Sequence, residues 1–473
     1  MKRAKRIYVL LGILAVACIG TFLVMHIEEK KEQIKNSDEI VLEVSGDSVT
    51  SLSWEYEDTA LAFHKGDSWL YDEDEAFPVD EEKIEELLSG FEAFGVSFII
   101  ENVEDYAQYG LDEPVCTISL STENESYEIL LGDYSAMDSQ RYISIGDGNV
   151  YLAAEDPFED FEIGLKDMIN HDETPDFDFV SKITFAGEES YSLTYEENSV
   201  NTYCAEDVYF TQRNGESLPL DTSSVQDYLD NIHYLSLTDY VTYNATEEEL
   251  RSYGLDAPEL SVTVDYTYEN EEEEELSDTF VLHVSRDPEE KKEAEEAAEK
   301  EEEDDSSSEE EEITAYVRVG ESQIVYKITS SEYESLMEAS YDALRHHEVL
   351  TADFDDVTQI DITLEGNSYT ITSEEKDDEK TWYYQDEELE MAELKSAVRA
   401  LTADSFTSEQ ATEKEEIRFT VSLDNENYPQ VEIVLYRYDG SFCLAEVDGE
   451  PVSLVARSYV VDLIEAVNAI VLN

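Results

Sequence analysis

The hexapeptide Tyr109-Gly110-Leu111-Asp112-Glu113-Pro114 returns as Tyr253-Gly254-Leu255-Asp256-Ala257-Pro258. Self-similarity at such a distance constrains the chain to an array of one kind of domain. Each copy opens on a strand-like start: Val49-Thr50-Ser51-Leu52, Val180-Ser181-Lys182-Ile183 and Val357-Thr358-Gln359-Ile360. The second interval is longer than the first, and a run of Glu, Lys, Asp and Ser between Glu269 and Glu312 accounts for most of the excess. We read it as an insertion, a solvated loop projecting from the sheet with a helix-favouring middle at 288–305. The third copy has no such hexapeptide between Leu401 and Ile417 and is degenerate. The spacing thus gives repeat unit 1 over 40–175, unit 2 over 176–350 with the acidic insertion 269–312, and unit 3 over 351–473, in keeping with about three domains for 473 residues.

Within each unit two strand-like segments, such as 48–56 and 60–64, precede a third built around an aromatic: Trp69, Tyr209 or Trp382. A helix follows. Asp80 stands as N-cap before Ile84, Leu87, Leu88 and Phe91, and Asp221 before Val225, Tyr228, Leu229 and Ile232; the third copy offers Leu394, Ala397, Val398 and Leu401. These are apolar faces at helical spacing. Alternating strands come next, clearest in Leu260, Val262, Val264, Tyr266 and Tyr268, then a closing strand at Val150-Tyr151, Val325-Tyr326 or Val452-Ser453-Leu454, and a final amphipathic helix at 459–470. Strands outnumber helices without regular alternation. The expectation is an α+β protein of three related units built on antiparallel sheets with amphipathic helices.

Residues 7–27 carry no Asp, Glu, Lys or Arg and are long enough to cross a hydrocarbon core. Lys2, Arg3, Lys5 and Arg6 precede them, which places the N-terminus in the cytoplasm and the rest outside. Residues 1–30 are therefore expected to be a cytoplasmic tail and a transmembrane helix, a single-pass anchor in the cell membrane that contacts lipid through residues 7–27. Cleavage after Ala15-Val16-Ala17, or lipidation of Cys18, are the alternatives; the apolar run continuing through Ile19 to Met25 argues for the uncleaved anchor.

A net charge of −88, from 117 acidic against 29 basic residues, excludes nucleic-acid binding, which rests on basic side chains neutralising phosphates. There is no HExxH, GxSxG or phosphate-binding loop. His346-His347-Glu348 is the densest histidine cluster, but neighbouring helical positions face apart, and no metal ligand set is assigned there. Asp424-Asn425-Glu426-Asn427 has oxygen ligands without the glycine and final glutamate of a calcium loop, so weak divalent-cation binding is all it suggests. Cys116, Cys204 and Cys443 read as three separate buried thiols. An enzyme would need carboxylates and His64, His171 or His233 drawn together from distant segments. In the hexapeptide the glycine permits a positive φ and the proline keeps the residue before it extended, so Tyr109, Gly110, Leu111, Asp112, Pro114 and their counterparts Tyr253, Gly254, Leu255, Asp256, Pro258 read as a structural turn. No catalytic or cofactor-binding residue is assigned.

The N-terminal anchor, the Trp69 segment, the Asp80 helix, Tyr109 to Pro114 and the strand ending Leu131-Gly132-Asp133 together resemble the bacterial family known as domain of unknown function 4340 (DUF4340). The resemblance implies a membrane-anchored, extracytoplasmic protein, and for some members association with an ABC-type transport system; it carries no catalytic residues. The expectation is a non-enzymatic scaffold and accessory of an ABC-type membrane transport complex. The alternative is a module that binds envelope glycan or peptide through tyrosines on a sheet face. Self-repulsion at −88 is relieved by counter-ions, so the melting temperature of the chain should rise with ionic strength. Scanning calorimetry at low and high salt checks this, and an unchanged melting temperature would contradict it.

Overall fold

A computed structural model describes residues 39–101, 103–270, 273–301, 313–376 and 379–472. The apolar segment 7–27 lies outside the described residues, among which no helix is long and apolar enough to cross a membrane.

The first sheet has nine strands: β1 (Glu39–Leu42), β2 (Val49–Tyr56), β3 (Thr59–Lys65), β4 (Trp69–Tyr71), β5 (Phe94–Ile100), β6 (Cys116–Thr122), β7 (Ser126–Ser135), β8 (Gln140–Ser144) and β9 (Val150–Ala153). Their order across the sheet is β1-β5-β9-β8-β7-β6-β2-β3-β4, and every pairing is antiparallel. Two meanders, β2 to β4 and β6 to β9, thus meet at the β2–β6 pair. Between β4 at one edge and β5 near the other, the chain crosses through the helix Glu81–Ser89. The sheets beginning at Phe179–Ala186 and Val357–Leu364 follow the same order over eight strands. They differ in the ninth, which adds at the far edge as Glu216–Pro219 or Glu387–Leu389. The described residues therefore form an α+β protein with three nine-stranded antiparallel sheets.

The crossing helices bury the faces their spacing marks out. Ile84, Leu87 and Leu88 are buried in the first, Val225, Tyr228, Leu229 and Ile232 in the helix Thr222–His233, and Leu394, Ala397 and Val398 in Ala392–Arg399. Asp80 accepts from the Lys83 amide and Asp221 from the Ser223 amide, answering donors that a helix start leaves unpaired. Met391 supplies no side-chain cap to the third. Phe91 lies two residues past its helix and is still buried.

The strand starts share a feature that alternation alone would forbid. Val49 and Leu52 are both buried although three apart, as are Val180 with Ile183 and Val357 with Ile360. Each strand bulges at the residue between, Thr50, Ser181 or Thr358, where the register against the central partner shifts by one. The extra residue restores the inward phase. Its hydroxyl donates to a partner-strand carbonyl, Ser121, Asp265 or Ser422 respectively, at 3.1 Å in all three sheets.

One expectation needs correction. The run from Glu269 is not all insertion: a strand, Glu275–Arg286, pairs with Leu260–Glu269 from Leu260↔Val284 to Glu269↔Glu275, and Phe280, Leu282 and Val284 are buried. The sequence between the two strands is rich in glutamate, which hid the alternation behind it. The acidic excursion narrows to a helix at Pro288–Glu301 and the residues after it. Each expected repeat unit carries one of the three sheets. The chain divides into two compact units, at His171/Asp172, and the second holds two sheets. The connection between these two is tied to the third sheet, since the Ala403 amide donates to His347 O at 2.7 Å and Val349 N to Leu401 O at 3.0 Å. From the second sheet, Tyr203 packs against the third sheet's core and meets the Tyr428 ring at 5.6 Å.

Candidate functional site

The recurring hexapeptide ends a helical turn in both copies. Ala107–Tyr109 form a short 3-10 turn and Glu247–Ser252 a helix. After them Gly110 and Gly254 take φ of +68° and +74°. Gly110 N then donates to Ala107 O and Leu111 N to Tyr106 O, while Gly254 N donates to Arg251 O and Leu255 N to Leu250 O. This is the paired bonding of a Schellman cap, with a left-handed residue at its centre. The following leucine is buried in both. Tyr109 packs on Tyr142 at 5.0 Å, and Tyr253 on Tyr316 at 4.7 Å. The caps press onto the sheet so closely that a Cβ on Gly110 would come within 2.6 Å of Asp133 Oδ1, one on Gly254 within 2.4 Å of Ser285 Oγ, and one on Gly132 within 2.2 Å of Tyr109 O. Asp112 and Asp256 are exposed, the latter 3.4 Å from Arg251, and Pro114 and Pro258 lead into the central strands. The ten residues form two turns, each packed against the strands of its own sheet.

The structure converges polar groups elsewhere, within the second compact unit. A cleft of 590 Å³ is lined by Tyr203, Tyr341, Arg345, His346, Glu348 and Tyr428, among others. At its wall His346 Nε2 lies 2.7 Å from Asp207 Oδ1, across 139 residues of chain. The Asp207 side chain is 1% exposed, and its other oxygen accepts from Thr202 Oγ1 at 2.6 Å. Thr202 Oγ1 in turn accepts from the Cys204 amide at 3.0 Å. Burial pulls the His346 pKa down, but the Asp207 hydrogen bond and charge, with Asp221 and Glu348, carry it above the ordinary value. Asp221 is held below the usual carboxylate range by Ser223, His346 and Ser224 despite its burial. Burial, then Asp207, push the Cys204 thiol up to about 11. Two donor sets share this imidazole: Cys204, Asp207 and His346, and Asp221, His346 and Glu348, each with ligand atoms within 4.8 Å of one another.

The cysteine expectation therefore holds for Cys116 and Cys443, which are buried and free, and fails for Cys204, half-buried beside two polar partners. His64 pairs with Asp72 at 2.6 Å on the surface of the first unit, His233 contacts Pro175 O at the end of its helix, and His171 closes the first unit. The Asn425 side-chain oxygen accepts from the Asn427 and Tyr428 amides, so it is engaged in its own turn. A larger groove of 790 Å³ runs along Glu387, Glu388, Glu390 and Glu393 to Ala466 and Ile470. Its lining pairs like charges with apolar surface and includes no His, Cys or basic residue.

The model of the family described as domain of unknown function (DUF4340) matches residues 69–258 and again 211–420. The chain belongs to this family. No curated protein and no solved structure matches it. Each DUF4340 match starts within the strand that carries the recurring aromatic of its sheet, Trp69–Tyr71 or Tyr209–Arg213, which corresponds to one place in the strand order, and runs into the next sheet. The family segment and the sheet repeat are thus out of phase, and the first match ends at Pro258, the last residue of the second cap.

Glu259 follows that cap. Its carboxylate accepts from Arg286 N at 3.0 Å and Tyr333 Oη at 2.8 Å and pairs with Lys291, joining the DUF4340 turn to the base of the acidic helix. Burial alone would raise its pKa; Lys291, the Arg286 amide and Tyr333 hold it below the usual range. A carboxylate depressed by folding adds stability above its unfolded pKa, about 4.3, and loses it as pH falls through the folded value. Glu259→Gln should cost about 1–3 kcal/mol at neutral pH. In urea denaturation the gap from the parent should close as pH drops below the ordinary glutamate range, and a gap constant with pH would contradict the assignment.

Proposed function

We propose that the chain is a non-enzymatic scaffold, tethered to the cell membrane through residues 7–27 with its sheets on the extracytoplasmic side, and that it serves as an accessory of an ABC-type transport complex. The observation that carries this reading is how the recurring residues are used. Gly110, Leu111, Gly254 and Leu255 are taken up in helix caps and packing, so what the chain repeats is architecture. Sheets that share one strand order over eight strands suit a protein whose role is to present surfaces to partners. The acidic surface suits contact with basic loops of a membrane partner and disfavours phosphate backbones.

A second reading draws on the cleft. Tyr203, Tyr341 and Tyr428 beside Arg345, His346 and Glu348 combine ring faces with hydrogen-bonding groups, as a binder of envelope glycan or peptide requires. The two readings separate in cells. Crosslinking of the full-length protein, followed by mild-detergent purification and mass spectrometry, should recover the membrane subunits of a transporter. Replacing residues 1–30 by a cleaved export signal should abolish that recovery. Retention of isolated cell wall by both forms, without membrane partners, would favour the cleft reading and overturn the accessory role.

A further inference from the structure

We propose that Cys204, Asp207 and His346 bind one Zn²⁺ ion, with water completing the coordination. A thiolate, a carboxylate and an imidazole are the three kinds of protein ligand this ion takes, and three of them with an open position is a common arrangement. The donor atoms already lie within 4.8 Å of one another, whereas tetrahedral zinc holds its ligands roughly 3.5 Å apart. Small side-chain rotations close the site. His346 Nε2 and Asp207 Oδ1, now 2.7 Å apart, open slightly while the thiol draws in.

The surroundings orient each ligand. Cys204 and Asp207 belong to one turn, closed by Asp207 N donating to Cys204 O, which places the two ligands three residues apart. Thr202 Oγ1 fixes the Asp207 oxygen that would not bind the ion, a supporting hydrogen bond of the kind metal sites use. Asp221 and Glu348 lie within 4.8 Å of the same imidazole, so a carboxylate is at hand to orient the ring. Charge points the same way. The imidazole is faced by Asp207, Asp221 and Glu348, while the adjacent Arg345 is turned over the rings of Tyr341 and Phe406 at 5.0 and 4.1 Å and pairs with Asp342. The carboxylates Asp207, Asp221 and Glu348 outnumber the one imidazole beside them, which favours a cation at the site. A thiol and an imidazole favour zinc over calcium or magnesium.

On binding, the Cys204 S–H bond breaks and the sulfur enters as thiolate, while His346 loses the Nε2 proton it now shares with Asp207 and binds as the neutral ring; both protons leave to solvent. The ion would join the turn at Thr202–Asp207 of the second sheet to the connection carrying His347 and Val349, whose backbone is bonded to the third sheet. It would staple the two sheets of the second unit.

The test must distinguish this site from the many surface carboxylates. The full-length protein, reduced and in detergent, is titrated with Co²⁺ as a spectroscopic stand-in while excess Ca²⁺ occupies those carboxylates. One equivalent should bind with a thiolate-to-cobalt charge-transfer band, and Zn²⁺ should displace it. Cys204→Ser should abolish the band, while Asp207→Asn and His346→Gln should each weaken binding at least about tenfold. Absence of the band in the parent protein, or its survival in Cys204→Ser, would overturn the proposal. Because the parent alone can fail, the result does not hang on the folding of any variant.

Discussion

Having laid its helix across the sheet and placed a strand near the far edge, each unit must bring the chain back to the centre, where the next strand pairs with the first. In the first two sheets this return is made by a helical turn stopped short by a left-handed glycine and pinned by a buried leucine. The glycine serves twice, since it admits the positive φ and lets the turn lie against the neighbouring strand with no room for a Cβ. A buried leucine adds about 1.5–3 kcal/mol, enough to fix the path. The third sheet returns differently. From Ala403–Phe406 the chain follows an extended loop, held by Thr407 N to Val452 O and Tyr438 Oη to Glu409, before entering Glu415–Leu423.

Once the returning strand reaches the centre, its pairing has to keep the apolar faces together. The bulges at Thr50, Ser181 and Thr358 do this, shifting register by one where each first strand begins. One more contact recurs. The residue before the crossing helix donates to the segment that leaves the same sheet, as Asp80 N to Met168 O and Asp221 N to Leu344 O. Because that exit segment then pairs with Leu401 and Ala403 of the next sheet, the second and third sheets belong to one compact unit.

Much of this was legible in sequence because it is local. Helix faces, caps and the glycine turn each lie within a window of ten or so residues, and period and residue type announce them. The bulge left a trace, Val and an aliphatic three apart around a hydroxyl residue, but a period-two reading passes over it. Glu275–Arg286 was obscured because the glutamates before it and Asp278 within it are acidic, so composition outweighed the alternation of Phe280, Leu282 and Val284. The Asp207–His346 pair had no local signal at all. Tertiary folding brings it together: the sequence marks His346-His347-Glu348 as the densest histidine cluster but shows no partner for it, and offers His64, His171 and His233 as the histidines an enzyme would need.

The account holds that the shared turn is fixed by close approach to the sheet as well as by backbone conformation. Gly254 and Gly215 separate the two effects within one unit, since both have positive φ, at +74° and +88°, but a Cβ on Gly215 would meet nothing within 4 Å. Denaturant unfolding of Gly254→Ala and Gly215→Ala is the direct measurement. Left-handed strain alone costs roughly 1 kcal/mol at either position, and overpacking should add about 1–3 kcal/mol at Gly254 only. Equal losses in the two variants would contradict the account.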